Sequence, residues 1–298
     1  MQSDTPVYSI IVPVFNSADI LATLCAQIHQ SLAVIGVSYE IILVNDCSTD
    51  NSWQVIQQMQ CYQAQRILGI NKTQNTGQHH ALYIGMLHAK GTYFVTIDDD
   101  LQFPPSEIAL LIKEQHRTNA QLVYGYPRAR QHSILRNIAS KLALYAFCAL
   151  LKTHPNGSPF RLLNAKLFHS STLAAPLIFI DAIVTPNTPI ISTIPVLHQP
   201  RHSGTSGHKL YIQGLWALLL MYAYSSSRKK KFVYPIIILS IGGIGLWLSI
   251  YCSFLLAAPL LILFILLLLI HSYCIYQYTK INSQSTASHQ DIIEIQKL

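Results

Sequence analysis

Residues Thr92–Pro105, TYFVTIDDDLQFPP, restrict the architecture more than any other stretch of the chain. Tyr93, Phe94, Val95, Thr96 and Ile97 have the composition of a buried strand, and they run directly into Asp98, Asp99 and Asp100. Pro104 and Pro105 then take the chain out of the sheet. In an open α/β sheet the carboxyl ends of parallel strands face the ligand crevice, so the acids are delivered there together. Strand alternation puts Asp98 and Asp100 on one side and Asp99 on the other. Oxygen ligands at i and i+2, with the Gln102 carbonyl close by, suit Mg²⁺ or Mn²⁺ with positions left open for a diphosphate. The same acids also fit a solvated turn or a helix cap ahead of the prolines. The surrounding chain favours the cation.

Alternating elements surround this stretch. Tyr8–Val14 and Tyr39–Val44 are nearly continuous apolar runs of strand length, and Arg66–Ile70 and Gln121–Tyr124 are shorter strand candidates. Helical patterns fall over Ile20 to about Leu32, Gly77–Lys90 and Ser106–Arg117, and the loop NDCSTDNS after the second strand offers a helix N-cap. Strands and helices in turn, joined by short loops, predict a parallel, doubly wound sheet over roughly the first 125 residues. Neither GxGxxG nor GxxxxGK[ST] follows the first strand, so a nucleotide bound here is held by strand-end carboxylates and a cation.

Of the 298 residues 51% are hydrophobic and only 11% charged, and the excess is concentrated between Phe232 and Tyr278. That almost uncharged run is too long for one bilayer crossing and about right for two, near Phe232–Leu256 and Leu260–Tyr278, with Pro259 at the tip of a helical hairpin. Arg228–Lys231 precedes the first span and Lys280 follows the second, so the positive-inside rule puts both ends in the cytosol. Met1–Tyr8 is short and polar and holds Pro6, unlike a signal peptide. The net charge of +7 then answers anionic lipid and phosphorylated substrates. No helix-turn-helix or aromatic-basic pattern supports nucleic-acid binding. The six cysteines form no CxxC pair and the thirteen histidines show no HExxH spacing, so a disulfide frame or zinc site is not expected.

Five motifs in order, VPVFN (Val12–Asn16), VNDCSTDNS (Val44–Ser52), NTGQHHAL (Asn75–Leu82), HAKGTYFVTIDDDLQFPP (His88–Pro105) and FRLLNAKLF (Phe160–Phe168), resemble the family 2 glycosyltransferases. The resemblance is greatest to the polyprenyl-phosphate branch: dolichol-phosphate mannose synthase and the bacterial undecaprenyl-phosphate sugar transferases. It covers about Tyr8 to Lys209 and implies an α/β fold of GT-A type: a Rossmann-like, mostly parallel sheet with helices on both faces. It also implies a metal group of Asp98, Asp100 and Gln102, and a nucleotide site of Pro13, Phe15, Asn16, Asp46, Gln78 and Asp98. Catalytic roles fall on Asp98, Asp100, Arg128, Arg136 and Arg201, and the acceptor phosphate on Arg128, Arg130, Arg136, Ser140 and Arg161. Guanidinium groups suit such a site because they bind phosphate oxygens with two parallel donors, although any one of these arginines also reads as a surface charge beside a membrane.

Three departures stand out. Asp99 replaces the small middle residue usual in the family; it adds an acidic function or, as favoured here, points away into solvent. Asn156 stands where relatives commonly carry Asp, and Gly207–His208 interrupts the loop RHSGTSGHK after its Ser206. The expected organisation is a cytosolic glycosyltransferase domain over 1–208, with an interfacial helix at about 134–151. A juxtamembrane interfacial helix and basic run over 209–231, two transmembrane helices over 232–280 and a poorly ordered polar tail over 281–298 follow. The interfacial stretches also read as buried core helices.

The expected function is inverting transfer of a sugar from a nucleotide-sugar donor, favouring UDP, to polyprenyl phosphate. It would proceed at the cytosolic face of a bacterial inner membrane, for cell-envelope glycan or lipopolysaccharide modification. The resemblance adds Mg²⁺ or Mn²⁺ as cofactor, membrane lipids as partners and a homo-oligomer such as a tetramer. The alternative is transfer to a sugar hydroxyl, which needs a positioned carboxylate; Asp181 is the candidate.

Overall fold

A computed structural model describes residues 6–62, 66–128, 153–154, 157–170, 179–185, 188 and 190–200, with the backbone of 293–294. The strands are β1 (Tyr8–Val14), β2 (Tyr39–Asn45), β3 (Ile67–Lys72), β4 (Tyr93–Thr96), β5 (Leu122–Pro127), β6 (Arg161–Asn164), β7 (Ile191–Val196) and β8 (Ile293–Glu294). The helices are α1 (Leu21–Ile35), α2 (Ser52–Tyr62), α3 (Gln78–His88), α4 (Ile108–Thr118), α5 (Ala165–His169) and α6 (Ile180–Val184). The strands form one sheet in the order β7-β5-β6-β4-β1-β2-β3-β8. β1 pairs in parallel with β2 and β4, β2 with β3, and β5 with β7; β6 and β8 are the antiparallel members.

Period-two alternation divides the sheet between two cores. Tyr8, Ile10, Val12, Val14, Ile41, Leu43 and Val95 pack under α1, α2 and α4. Ile11, Ile42, Val44 and Phe94 pack under α3, α5 and α6. Helix α1 buries Leu21, Leu24, Ile28 and Leu32 along one stripe, each contributing about 1.5–3 kcal/mol on removal from water. On the opposite face Gly85 lets α3 lie close on β1: a Cβ there would run into Ile11 and Val44.

The fold is thus the mixed, mostly parallel α/β sheet the sequence implied, with helices on both faces. The predicted apolar spans and both interfacial helices lie outside the described residues. No described helix is long and apolar enough to cross a membrane. The polar tail expected to lack order contributes β8, whose Ile293 and Glu294 pair with Lys72 and Asn71.

Candidate active site

Strand order reverses at β1, which lies between β2 and β4, so the loops after β1, β2, β3 and β4 gather around one crevice at the carboxyl edge. Strand β4 ends at Thr96, one residue before the predicted end. Leu101 takes a left-handed φ of 56°, and Leu101 and Phe103 turn back into the core. The acids are therefore held on a tight bend between buried residues. Asp98 and Asp100 are half-buried. Gln78, first residue of α3, donates its side-chain amide to Asp98 Oδ1, and the Gln102 amide donates to Asp100 Oδ1 at 3.1 Å. Two carboxylates two residues apart, with an amide side chain beside them, make a hard oxygen set that fits Mg²⁺ or Mn²⁺. Among the described residues no three His, Cys, Asp or Glu side chains form a metal cluster.

Asp99 corrects an expectation. Its carboxylate points not into solvent but onto the loop after β1. Its Oδ2 accepts from Phe15 N at 3.0 Å and from Ser17 Oγ at 2.5 Å. Burial pushes its carboxyl above the usual range, and these bonds oppose the shift.

The nucleotide-site residues separate in depth. Phe15 and Asn16 are exposed in the loop after β1. Asn16 bridges to the next loop, accepting from Thr49 N at 2.8 Å and donating its own amide to Ser48 Oγ at 3.0 Å. Pro13, expected in that loop, lies inside β1, buried opposite Val44. Asp46 is also buried, at 4% exposure. It accepts from Lys72 Nζ, from Thr76 N at 3.1 Å and from Gly77 N at 2.8 Å. Lys72 was missed by the sequence reading, although its place at the carboxyl end of a parallel strand put it at the crevice. Its side chain is fully buried, and burial lowers its pKa against the raising effect of Asp46. Gly77, at φ 91°, permits the turn that brings both amides onto Asp46.

The arginines divide as well. Arg128 is exposed at the end of β5, its Nε donating to Pro195 O at 3.3 Å. Arg130, Arg136, Ser140 and Arg201 lie outside the described residues. The segment leading to Arg201 does not: Gln199 N donates to Gln102 O at 2.8 Å, and Leu197 N to the buried Glu107 Oε2 at 2.9 Å. Arg161, expected on the acceptor phosphate, is corrected to an internal role. It opens β6 opposite Thr96 and is 1% exposed. It pairs with Asp181 and lies over the Tyr124 ring, 5.7 Å from its centroid. Asp181 also accepts from Tyr124 Oη at 2.5 Å, so the candidate base for hydroxyl transfer is an internal counter-ion.

His79 packs edge-on against Phe179, with ring centroids 4.7 Å apart, and its Nδ1 is buried without a partner among the described residues. Burial pushes its pKa down to about 4; Asp181 opposes that and Arg161 adds to it. A folded value below the unfolded 6.5 means that the unfolded chain binds the proton first as pH falls. Stability is therefore complete above about pH 6.5 and declines towards pH 4, by roughly 3 kcal/mol from this group alone. His79→Leu is expected to flatten that part of the curve of thermal midpoint against pH.

The sequence pattern of Glycosyl transferase family 2 matches residues 9–176, more than half of the chain, including the loops after β1, β2, β3 and β4. The chain belongs to that family. Among curated relatives, undecaprenyl-phosphate 4-deoxy-4-formamido-L-arabinose transferase of Klebsiella pneumoniae (strain 342) is 34% identical over 134 residues, 45% of this chain and 41% of that protein. An uncharacterized glycosyltransferase of Synechocystis is 33% identical over 166 residues, 54% of this chain and 51% of that protein. The match thus spans about half or less of these relatives. Among solved structures, a Pyrobaculum calidifontis mannosyltransferase in complex with GDP-Man and Mn²⁺ has a TM-score of 0.52 at 16% identity, covering 94% of this chain and 83% of that one. Glucosyl-3-phosphoglycerate synthase of Mycobacterium tuberculosis, in complex with Mn²⁺, UDP and phosphoglyceric acid, also has a TM-score of 0.52 at 16% identity, covering 74% and 79%. These likenesses establish the GT-A-like fold.

Proposed function

We propose that this family 2 glycosyltransferase moves one sugar, with inversion, from a nucleotide-sugar donor, a UDP-sugar in the first instance, to undecaprenyl phosphate at the cytosolic face of a bacterial inner membrane. The observation that carries the reading is the pairing of Asp98 and Asp100 at the end of β4, within a ring of donor-facing loops from β1, β2 and β3. Relatives named for undecaprenyl-phosphate transfer support the acceptor. Neighbours crystallised with Mn²⁺ and nucleotide sugars support the donor and the cation class.

Asp98 and Asp100 would hold the divalent ion, with the Gln102 side chain beside them. When bound, that ion supplies charge neutralisation on the departing nucleotide diphosphate. Gln78 keeps Asp98 aimed, and the loop of Phe15 and Asn16 borders the nucleotide. The acceptor needs no protein base: a phosphate monoester with a second pKa near about 6 is already largely dianionic at neutral pH. Arginines need only hold it in line and offset its repulsion from the donor; Arg128, exposed at the end of β5, and Arg201 are assigned that task. Both C-terminal apolar spans belong to this reading. The antiparallel pairing of β8 with β3 supports an even number of crossings, because it keeps residues beyond the apolar run on the side of the catalytic sheet.

The test is an assay of membranes or proteoliposomes carrying the full chain, with undecaprenyl phosphate and a panel of labelled UDP- and GDP-sugars. The expected result is a cation-dependent transfer of label into an acid-labile lipid. Label appearing on a sugar hydroxyl instead would overturn the acceptor assignment.

A further inference from the structure

Asp99 shares the bend with Asp98 and Asp100, but its carboxylate is engaged elsewhere than that of Asp98, which receives the Gln78 amide. Both of its contacts are to the loop after β1, more than eighty residues away in sequence: Phe15 N at 3.0 Å and Ser17 Oγ at 2.5 Å, received by the same oxygen. That loop is otherwise held through contacts to the loop after β2, and Asp99 ties it to the acidic bend. Asn16 sits at φ 55° and Phe15 is 48% exposed, without burial to fix it. Ser17 is the hinge of the arrangement. Its Oγ donates to Asp99, its amide donates to Ser52 Oγ at 2.9 Å, and Asn16 beside it reaches Ser48 and Thr49. A continuous set of polar contacts therefore runs from the acid-bearing bend of β4, through the first loop, to the loop after β2.

We propose that Asp99 is a positioning residue for the donor nucleotide: it clamps the Phe15–Ser17 segment to the acidic bend, so that the surface for the nucleotide and the carboxylates for its diphosphate are held in one geometry. The inference rests on the donor-site reading above and adds a residue with a separate task. Two charge-assisted hydrogen bonds onto one oxygen order the loop before the donor arrives, and an ordered loop loses less entropy on binding. Removing the carboxylate leaves Asp98 and Asp100 in place and frees Phe15 and Ser17 from the bend, so the loop keeps its contacts to the loop after β2 but loses its register with the acids. The effect belongs in donor affinity and donor KM, not in kcat.

The experiment uses the full chain in detergent or nanodiscs, with Asp99→Ala and Asp99→Asn, and titrates UDP and GDP at saturating Mn²⁺ and then Mn²⁺ at fixed nucleotide. Asp99→Ala is expected to weaken the nucleotide bound by the wild type by about ten-fold or more, and to raise donor KM alike with kcat within about three-fold. The Mn²⁺ midpoint and the thermal midpoint should stay put. Asp99→Asn is expected to recover most of the affinity, because its amide oxygen accepts the same two bonds. Nucleotide affinity unchanged in Asp99→Ala would overturn the inference. So would a loss accompanied by a raised Mn²⁺ midpoint and cured by excess Mn²⁺, which would make Asp99 a metal ligand. A loss that Asp99→Asn does not relieve and that tracks a fall in thermal midpoint would reduce the residue to a fold support. Wild-type protein that binds neither UDP nor GDP would instead sink the donor-site reading itself.

Discussion

Asp100→Ala is expected to lower sugar transfer by at least about 10²–10³-fold, the range seen when one preorganised group facing transition-state charge is removed. The side chain is half-buried, and its Oδ1 accepts from the Gln102 backbone amide two residues on. A substitution at a half-buried loop side chain typically costs about 1 kcal/mol, a drop of about 2–4 °C in thermal midpoint for a domain of this size. Rate and stability thus separate, and the assay must record both. Initial rates at saturating donor with a Mn²⁺ titration, alongside thermal unfolding of the same preparation, make the comparison. A variant that keeps its rate and its Mn²⁺ dependence would remove Asp100 from the metal group. Asp98→Ala should be as damaging and should also loosen α3 at Gln78, whose amide it receives.

The sequence was most informative where burial decides the outcome. Strand β1 runs over the predicted Tyr8–Val14 because a continuous apolar segment buried on both faces has no other use in a sheet of this kind. Strand β4 was legible for the same reason, although it ends one residue earlier, at Thr96. Strand β6 was read only as a motif, since it has four residues and begins with a charge that signals surface in the absence of its counter-ion. That counter-ion, Asp181, is 20 residues away on a different element. Strand β7 is interrupted by Pro195 and mixes polar with apolar residues, as a sheet edge tolerates and a pattern search discards.

Among site residues the same distinction holds. Alternation stops with β4 at Thr96 and says nothing of what Asp99 meets, which is set by a loop more than eighty residues earlier in the chain. Local pattern carries no such knowledge. Lys72 was overlooked because lysine is almost never fully buried unless paired, and its pairing with Asp46 joins two strand ends that only the folded sheet brings together.

Asp181→Ala is expected to be the most destabilising single change in the domain. It would leave the Arg161 guanidinium at 1% exposure with its ion pair gone, and breaking a buried pair in this way costs about 3–5 kcal/mol. Tyr124 would lose an acceptor as well, retaining the Thr185 hydroxyl at 3.3 Å. The double variant Arg161→Met/Asp181→Leu removes both charges at similar volume and should return to within about 1–2 kcal/mol of the wild type, since a buried pair replaced by apolar groups is often nearly neutral. Chemical or thermal unfolding of the two singles and the double completes the cycle. Activity of the double variant then separates the two roles open to Arg161. An internal strut behind β4 can be exchanged for a packed methionine, so transfer should stay within about three-fold once stability returns. A phosphate ligand cannot be exchanged in that way. A stably folded double variant without transfer would restore Arg161 to the acceptor site and require Asp181 to release it when the lipid phosphate binds.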